Sequence, residues 1–123
     1  MNKKLSPHVT IYKFPITAIS SIATRLSGLY LTGLFIGGGI TKLVHKEKEA
    51  YNIYSNFNDI QKKCFHYSII APITYHSYGG IRHFIWDKYP GQLLKNSLVA
   101  KSSYLIIGAT ALSTIVIESV IRK

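Results

Sequence analysis

The segment YHSYGGIRHFIWD, residues 75–87, places metal-binding and charged residue types within an apolar stretch. At about 100° per residue, five of its residues share one face of a helix: His76, Gly79, Gly80, His83 and Asp87. A neutral imidazole in an apolar helix is a candidate metal ligand, and adjacent glycines let a flat macrocycle approach the backbone. The spacing therefore predicts a haem-binding face with His76 as an axial ligand.

A structural interpretation of the same face stays open at this stage. In it, His76 donates a hydrogen bond to a backbone carbonyl, and the glycines let two helices touch. A six-coordinate haem also needs a second axial ligand, yet His66 lies ten residues from His76 and about 80° off the face. The haem hypothesis therefore requires a ligand from a partner subunit.

Arg25 is the single charged residue between Ile16 and Thr41, and Ser21 lies four residues before it on the same helical face. The guanidinium is suited to pair with a haem propionate or to donate to a quinone carbonyl, and the serine hydroxyl can donate to the same oxygen. The alternative is an arginine that snorkels to lipid phosphates, beside a serine bonded to its own helix.

The elements that must carry these residues are three apolar segments, at about 16–41, 64–87 and 102–121. The first has 26 residues, or about 39 Å of helix, enough to cross a hydrocarbon core of about 30 Å. The third has only 16 uncharged residues in a row, so it spans if Lys101 and Arg122 snorkel and Glu118 lies near a head group.

We therefore predict an all-α membrane protein that forms part of a heteromeric helix bundle. Residues 16–123 form an anchor of three transmembrane helices, and residues 1–15 form an extended N-terminal arm because Pro7 and Pro15 disfavour helix before them. The arm has no apolar core of a signal peptide, so no cleavable leader is expected.

Composition agrees with a location in the lipid bilayer. The chain of 123 residues combines 47% hydrophobic residues with 15 Lys and Arg against 5 acidic residues, and its cations are dispersed between the apolar segments. Nucleic-acid binding is disfavoured because that activity needs cations gathered on one face or tail. The single cysteine, Cys64, excludes a disulfide framework and a covalent c-type haem, so any metal must be held by histidine.

Three stretches resemble the cytochrome b large membrane-anchor subunits of succinate dehydrogenase, respiratory complex II. LSPHVTIYKFPITAISSI, residues 5–22, is similar to that family's arm and the start of its first helix. SIATRLSG, residues 21–28, resembles its Ser-x-x-[His]-Arg-x-[Ser/Thr]-Gly element, and HSYGGIRHFIWD, residues 76–87, resembles its His-x-x-x-Gly-Ile-Arg-His-x-x-x-Asp signature. Their order and spacing match a three-helix subunit across most of the chain.

The resemblance implies an anchor that is not catalytic on its own. Such a subunit pairs with a second small membrane subunit, and its arm docks to the soluble flavoprotein and iron–sulfur subunits. Electrons from succinate pass through those subunits to ubiquinone, and one haem b is shared between the two membrane subunits. The implied location is the mitochondrial inner membrane, or alternatively a bacterial cytoplasmic membrane, with the N-terminus on the matrix or cytoplasmic side.

Carried onto this chain, the resemblance assigns His76 as the axial ligand to the haem iron, with the other ligand from the partner subunit. Ser21 and Arg25 match positions that line the quinone site, and Arg25 and His83 match positions near the haem propionates. Supporting roles fall to the other motif residues: Gly79, Gly80 and Asp87.

One position departs from the family pattern. Thr24 stands where the family usually has a histidine next to the arginine, so one expected contact to a haem propionate is missing. Two alternatives follow: an anchor of the same complex without haem, and an unrelated small membrane assembly protein whose histidines are structural.

Overall fold

The computed structural model describes residues 14–93 and 95–122, and the predicted arm, residues 1–15, falls outside this part except for its last two residues. The described residues form three long helices and two short ones: α1 (Ile16–Leu43), α2 (Glu47–Ser55), α3 (Asp59–Lys88), α4 (Pro90–Leu93) and α5 (Asn96–Ile121). No strand occurs among these described residues. The all-helical prediction is therefore confirmed for this part of the chain.

Two of the long helices have the length and apolar character needed to cross a membrane. They are α1, Ile16–Leu43, and most of α5, Ser97–Ile121. The third long helix, α3, has 30 residues but carries charged residues at both ends and Arg82 within it, and it does not reach the same hydropathy. The described helices thus include two candidate spans by hydropathy rather than the predicted three.

Helix boundaries extend beyond the apolar segments that predicted them. Asn58 caps α3, and its backbone N–H donates to the Gln61 side chain at 2.9 Å, so the helix begins before the predicted residue 64. The region between the first two apolar segments contains α2. Polar caps fix where a helix starts, whereas hydropathy reports only which turns suit lipid.

The helix α3 lies between α1 and α5 and packs more extensively against each of them than they pack against each other. The interior of this three-helix arrangement is polar. Among the described residues only Ile70 and Ile106 are buried hydrophobic side chains. The buried polar and charged residues are Ser20, Thr24, Thr74, Arg82, Ser103, Thr110, Thr114 and Glu118. Apolar side chains therefore face outward, as expected where lipid surrounds the helices.

Candidate haem and quinone site

His76 lies where α3 approaches α1, and a backbone carbonyl holds its ring. Its Nδ1 lies 3.0 Å from the Thr24 carbonyl oxygen and 3.4 Å from Ser27 Oγ. A carbonyl oxygen only accepts hydrogen bonds, so Nδ1 carries the proton in this contact, and in the neutral imidazole Nε2 then has the lone pair. A metal-binding histidine typically donates its other ring N–H in this way.

The described residues contain no group of three or more His, Cys, Asp or Glu side chains that could hold a metal ion. A metal at His76 would therefore have to bring most of its ligands with it, as a porphyrin does. The residue is also exposed on the surface of this chain, so its ring is accessible from outside. The exposed ring leaves His76 open to a ligand from outside this chain.

Gly28 on α1 makes the close approach of the His76 ring possible. A methyl group at Gly28 would lie 2.6 Å from His76 Cε1, closer than a carbon normally approaches another atom. Glycine therefore leaves space for the His76 ring in this position, and its role is not conformational, since Gly28 lies within a regular helix. Gly28 belongs to the SIATRLSG element, but its place in the sequence alone predicted no role for it.

The two adjacent glycines of α3 have different surroundings. A Cβ at Gly79 would lie 2.7 Å from Thr24 Cγ2, so this glycine lets α1 and α3 touch. A Cβ at Gly80 would meet no atom within 4 Å, and Gly80 is exposed. The expectation that both glycines offer bare backbone to a macrocycle is therefore corrected for Gly79, because Thr24 already fills that space.

The open face of α3 continues from Gly80 to the end of the helix. His83 and Asp87 are exposed, and the His83 ring packs edge-on against Trp86 with centroids 5.4 Å apart. Together with His76 they form a stripe that the chain's own described helices leave uncovered. A cofactor or a partner helix can therefore approach this stripe.

Ser21, Arg25 and Gly28 lie along one stripe of α1, at successive spacings of four and three residues. Because Gly28 contacts the His76 ring, Arg25 lies about one helical turn from His76 on the neighbouring helix. Arg25 is exposed and Ser21 is half-buried, and no side-chain hydrogen bond joins Arg25 to another described residue. The guanidinium is thus available to a ligand outside this chain.

Thr24 occupies the position where the family pattern has a histidine, and its role in this fold is structural. It is 8% exposed, and its Oγ1 donates to the Ser20 carbonyl oxygen at 2.9 Å. Its side chain packs on Gly79 and its own carbonyl accepts the His76 proton. The residue therefore orients the imidazole through its backbone, while its side chain is engaged between the helices.

Arg82 is a buried residue whose role the sequence patterns did not predict. Its Nη1 donates to Ser20 Oγ at 3.1 Å and to Ser103 Oγ at 3.0 Å, so it joins α3 to both α1 and α5. Its guanidinium also lies 4.6 Å from the centroid of the Trp86 ring. The available signal was an arginine in an otherwise apolar segment, a costly position that usually has a function.

A second polar cluster joins the N-terminal part of α3 to the C-terminal part of α5. His66 Nδ1 lies 3.0 Å from Glu118 Oε2, and Tyr54 Oη lies 2.8 Å from His66 Nε2. Glu118 is 3% exposed, so its side chain faces the interior of the bundle, while its depth relative to the lipid head groups stays a prediction. His66 gives one oxygen of the carboxylate a polar partner within the bundle, and Tyr54 bonds to the other nitrogen of the His66 ring.

Comparison with known proteins identifies the family. A model described as "Succinate dehydrogenase/Fumarate reductase transmembrane subunit" matches residues 1–117, nearly the whole chain. The chain belongs to this family. It is thus a transmembrane cytochrome b subunit of the succinate dehydrogenase type, an anchor without catalysis of its own.

Individual relatives agree with this assignment. The chain is 32% identical to the mitochondrial succinate dehydrogenase cytochrome b560 subunit of Dictyostelium discoideum over 89% of its length, but spans only 58% of that protein. It is 31% identical to the cytochrome b560 subunit of Reclinomonas americana over 94% of its length and 84% of the relative. With the Homo sapiens mitochondrial subunit it shares 30% identity over 92% of its length and 68% of the relative.

Proposed function

We propose that the chain binds haem b jointly with a second membrane subunit and helps to form the ubiquinone-reduction site of a succinate:ubiquinone oxidoreductase. The observation that carries the haem assignment is the hydrogen bond from His76 Nδ1 to the Thr24 carbonyl, which leaves Nε2 free as a ligand. Haem b, when bound, would supply one-electron redox chemistry. The second axial ligand would come from the partner subunit.

The residues around His76 fit such a group. Gly80 leaves open space about one helical turn from His76, and Arg25, one turn from Gly28 on α1, would serve a propionate carboxylate. His83 lies two turns further along the same exposed stripe and would accompany Arg25 as a propionate partner. Asp87, at the end of the stripe, would have a supporting role near the membrane interface.

Ser21 and Arg25 would bind the quinone head group. The Ser21 hydroxyl and the Arg25 guanidinium would donate hydrogen bonds to a carbonyl oxygen, and the positive charge would stabilise negative charge developing there during reduction. Electrons would reach this site from the flavoprotein through the iron–sulfur subunit. The chain's contribution is therefore binding and electrostatic stabilisation.

We further propose that α3 spans the membrane with α1 and α5, placing the N-terminus on the matrix side of the mitochondrial inner membrane. Its 30 residues give about 45 Å of helix, more than the hydrocarbon thickness requires. Two of its polar residues, Thr74 and Arg82, are buried against the other helices and hydrogen-bonded there. They would not have to face lipid.

A reduced-minus-oxidised absorbance spectrum of the detergent-solubilised complex tests the haem assignment. We expect a b-type band in the wild type and its loss in His76→Ala. His45→Ala, which changes an exposed histidine in the turn after α1, is the matched control and should keep the band. A wild-type complex that assembles without a b-type band would contradict haem binding.

A haem-free anchor is the second candidate function, because the Thr24 side chain is buried between helices and offers nothing to a propionate. In that case the wild type would show no b-type band, yet would still copurify with the soluble subunits and reduce quinone. The same purification therefore distinguishes the two candidates.

A further inference from the structure

The Arg82 guanidinium is a buried positive charge with neutral neighbours. The residue is 6% exposed, and within the described part of the chain its guanidinium donates to the hydroxyls of Ser20 and Ser103 and lies over the ring of Trp86. Its Nε is buried and has no hydrogen-bond partner among the described residues. A charge that remains buried without a counter-ion is strongly destabilising.

This chain has no acidic side chain paired with Arg82. All 5 acidic residues lie in the described part of the chain, and none of them forms an ion pair with Arg82. Glu118 pairs with His66, and Glu49 pairs with Lys46. A compensating anion must therefore come from outside the chain.

A groove beside Arg82 gives such an anion a route. It has a volume of about 390 Å³ and opens between α3 and α5. Arg82, Trp86 and Ser102 line its polar part, while residues such as Ile85, Leu105 and Ala109 line its apolar part. The groove is thus mainly apolar, with a small polar part.

The position of the groove matches the depth of a lipid head group. Trp86 lies two residues before Lys88 at the end of α3, and Ser102 follows Lys101 near the start of α5. Tryptophan and lysine are typical of the membrane interface. The groove lies on the α5 side of α3, whereas His76 lies against α1, so it is separate from the candidate haem ligand.

We propose that this groove binds one anionic membrane phospholipid. Its phosphate would pair with the Arg82 guanidinium and accept a hydrogen bond from Ser102, and one acyl chain would lie along the apolar wall formed by α3 and α5. An uncharged quinone would fill the apolar part but leave the buried charge uncompensated. The net charge of +10 of the whole chain further favours an anionic lipid.

Quantitative mass spectrometry of lipids retained by the purified complex tests this proposal after extensive detergent washing. We expect one anionic phospholipid per wild-type complex and its loss in Arg82→Gln. Lys101→Gln removes an exposed cation at the same membrane depth and should retain the lipid. Ala109→Phe should also lose it, because the new ring would fill the groove without altering the hydrogen bonds of Arg82.

Thermal unfolding in defined lipid gives a second measurement. Vesicles of equal parts phosphatidylglycerol and phosphatidylcholine should raise the Tm of the wild-type complex above its value in phosphatidylcholine alone, and should not do so for Ala109→Phe. If the Arg82→Gln complex fails to assemble, the phospholipid content and Tm of the Ala109→Phe complex still test whether the groove binds the lipid.

Three results would overturn the proposal. The first is equal phospholipid retention by the wild type and both groove variants, and the second is stabilisation by inorganic phosphate in detergent to the same extent as by phosphatidylglycerol. The third is a map of the assembled complex with a carboxylate of the second membrane subunit against Arg82. None of these results bears on haem or quinone binding.

Discussion

The Thr24 carbonyl oxygen determines which nitrogen of His76 is available to a ligand. Because the carbonyl accepts from Nδ1 at 3.0 Å, the neutral form of the exposed ring presents Nε2 as its metal-binding nitrogen. This control acts through the backbone, so it tolerates a change of the residue 24 side chain better than a side-chain hydrogen bond would. The departure from the family pattern at Thr24 is therefore compatible with ligation by His76.

Gly28→Ala should displace the His76 ring and leave the ends of α1 and α3 unchanged. The added methyl would lie 2.6 Å from Cε1, so the imidazole must move away from its hydrogen bond with Thr24. We expect haem to be retained about tenfold or more weakly, measured as the b-type absorbance per complex. Gly33→Ala on the same helix meets nothing within 4 Å and is the matched control. Equal absorbance in both variants would contradict the role given to Gly28.

Arg25→Ala should separate quinone reduction from succinate oxidation. Loss of a charged hydrogen-bond donor to the quinone should lower quinone reductase activity by about tenfold or more, whereas reduction of an artificial dye by the soluble subunits should persist. Arg122→Ala, at the other end of the bundle, should leave both activities unchanged. Equal loss of both activities in Arg25→Ala would indicate failed assembly instead of a damaged quinone site.

At the scale of the helices, two polar clusters hold α3 in place. Arg82 joins it to α1 and α5 near one end, and the His66–Glu118 pair joins it to α5 near the other. The hydroxyls of Thr74 and Thr114, 3.4 Å apart, lie between these clusters. Hydrogen bonds therefore fix the register of α3 against α5 along most of their contact.

Glu118→Gln should weaken the contact between α3 and α5 that helps to fix this register. The substitution keeps the shape and one acceptor oxygen but removes the negative charge that faces His66, so we expect a loss of about 1–3 kcal/mol of stability. A lower Tm of the detergent-solubilised complex would report it. Glu49→Gln removes a carboxylate that is 70% exposed and paired with Lys46 at 3.7 Å, and should leave the Tm unchanged. A Tm in Glu118→Gln equal to the wild-type value would show that the buried pair does not hold the helices together.

Sequence patterns predicted the existence of the three long helices but not their boundaries or their interior. Hydropathy indicates which helical turns are apolar. The start of α3 at Asp59 depends instead on capping by the Asn58 and Gln61 side chains. The helical wheel placed His76 and Gly80 on one face, yet could not show that Gly79 turns to Thr24. Arg82, Gly28 and Glu118 were missed because their partners lie on other helices, far away in sequence.

At the scale of the whole molecule, the number of spans can be tested by the chain's single cysteine. Cys64 is exposed near the start of α3, and the proposed topology puts it on the side of the membrane opposite the N-terminus. In intact mitoplasts, a membrane-impermeant maleimide should label it from the outside. In a Cys64→Ser background, Ser97→Cys at the start of α5 should be labelled only after the membrane is opened. Labelling of both positions from the same side would contradict a spanning α3.

The polar interior also has a consequence for how this protein enters its membrane. Most of the buried hydroxyls and the guanidinium of Arg82 find their hydrogen-bond partners on neighbouring helices or one turn back along their own. A solitary α3 leaving the insertion machinery would expose Arg82 to hydrocarbon, at a cost of about 2.5–3.5 kcal/mol on insertion scales. We therefore expect α3 to enter the lipid only when α1 and α5 can pack against it. Insertion of the middle helix would then depend on synthesis of the last helix.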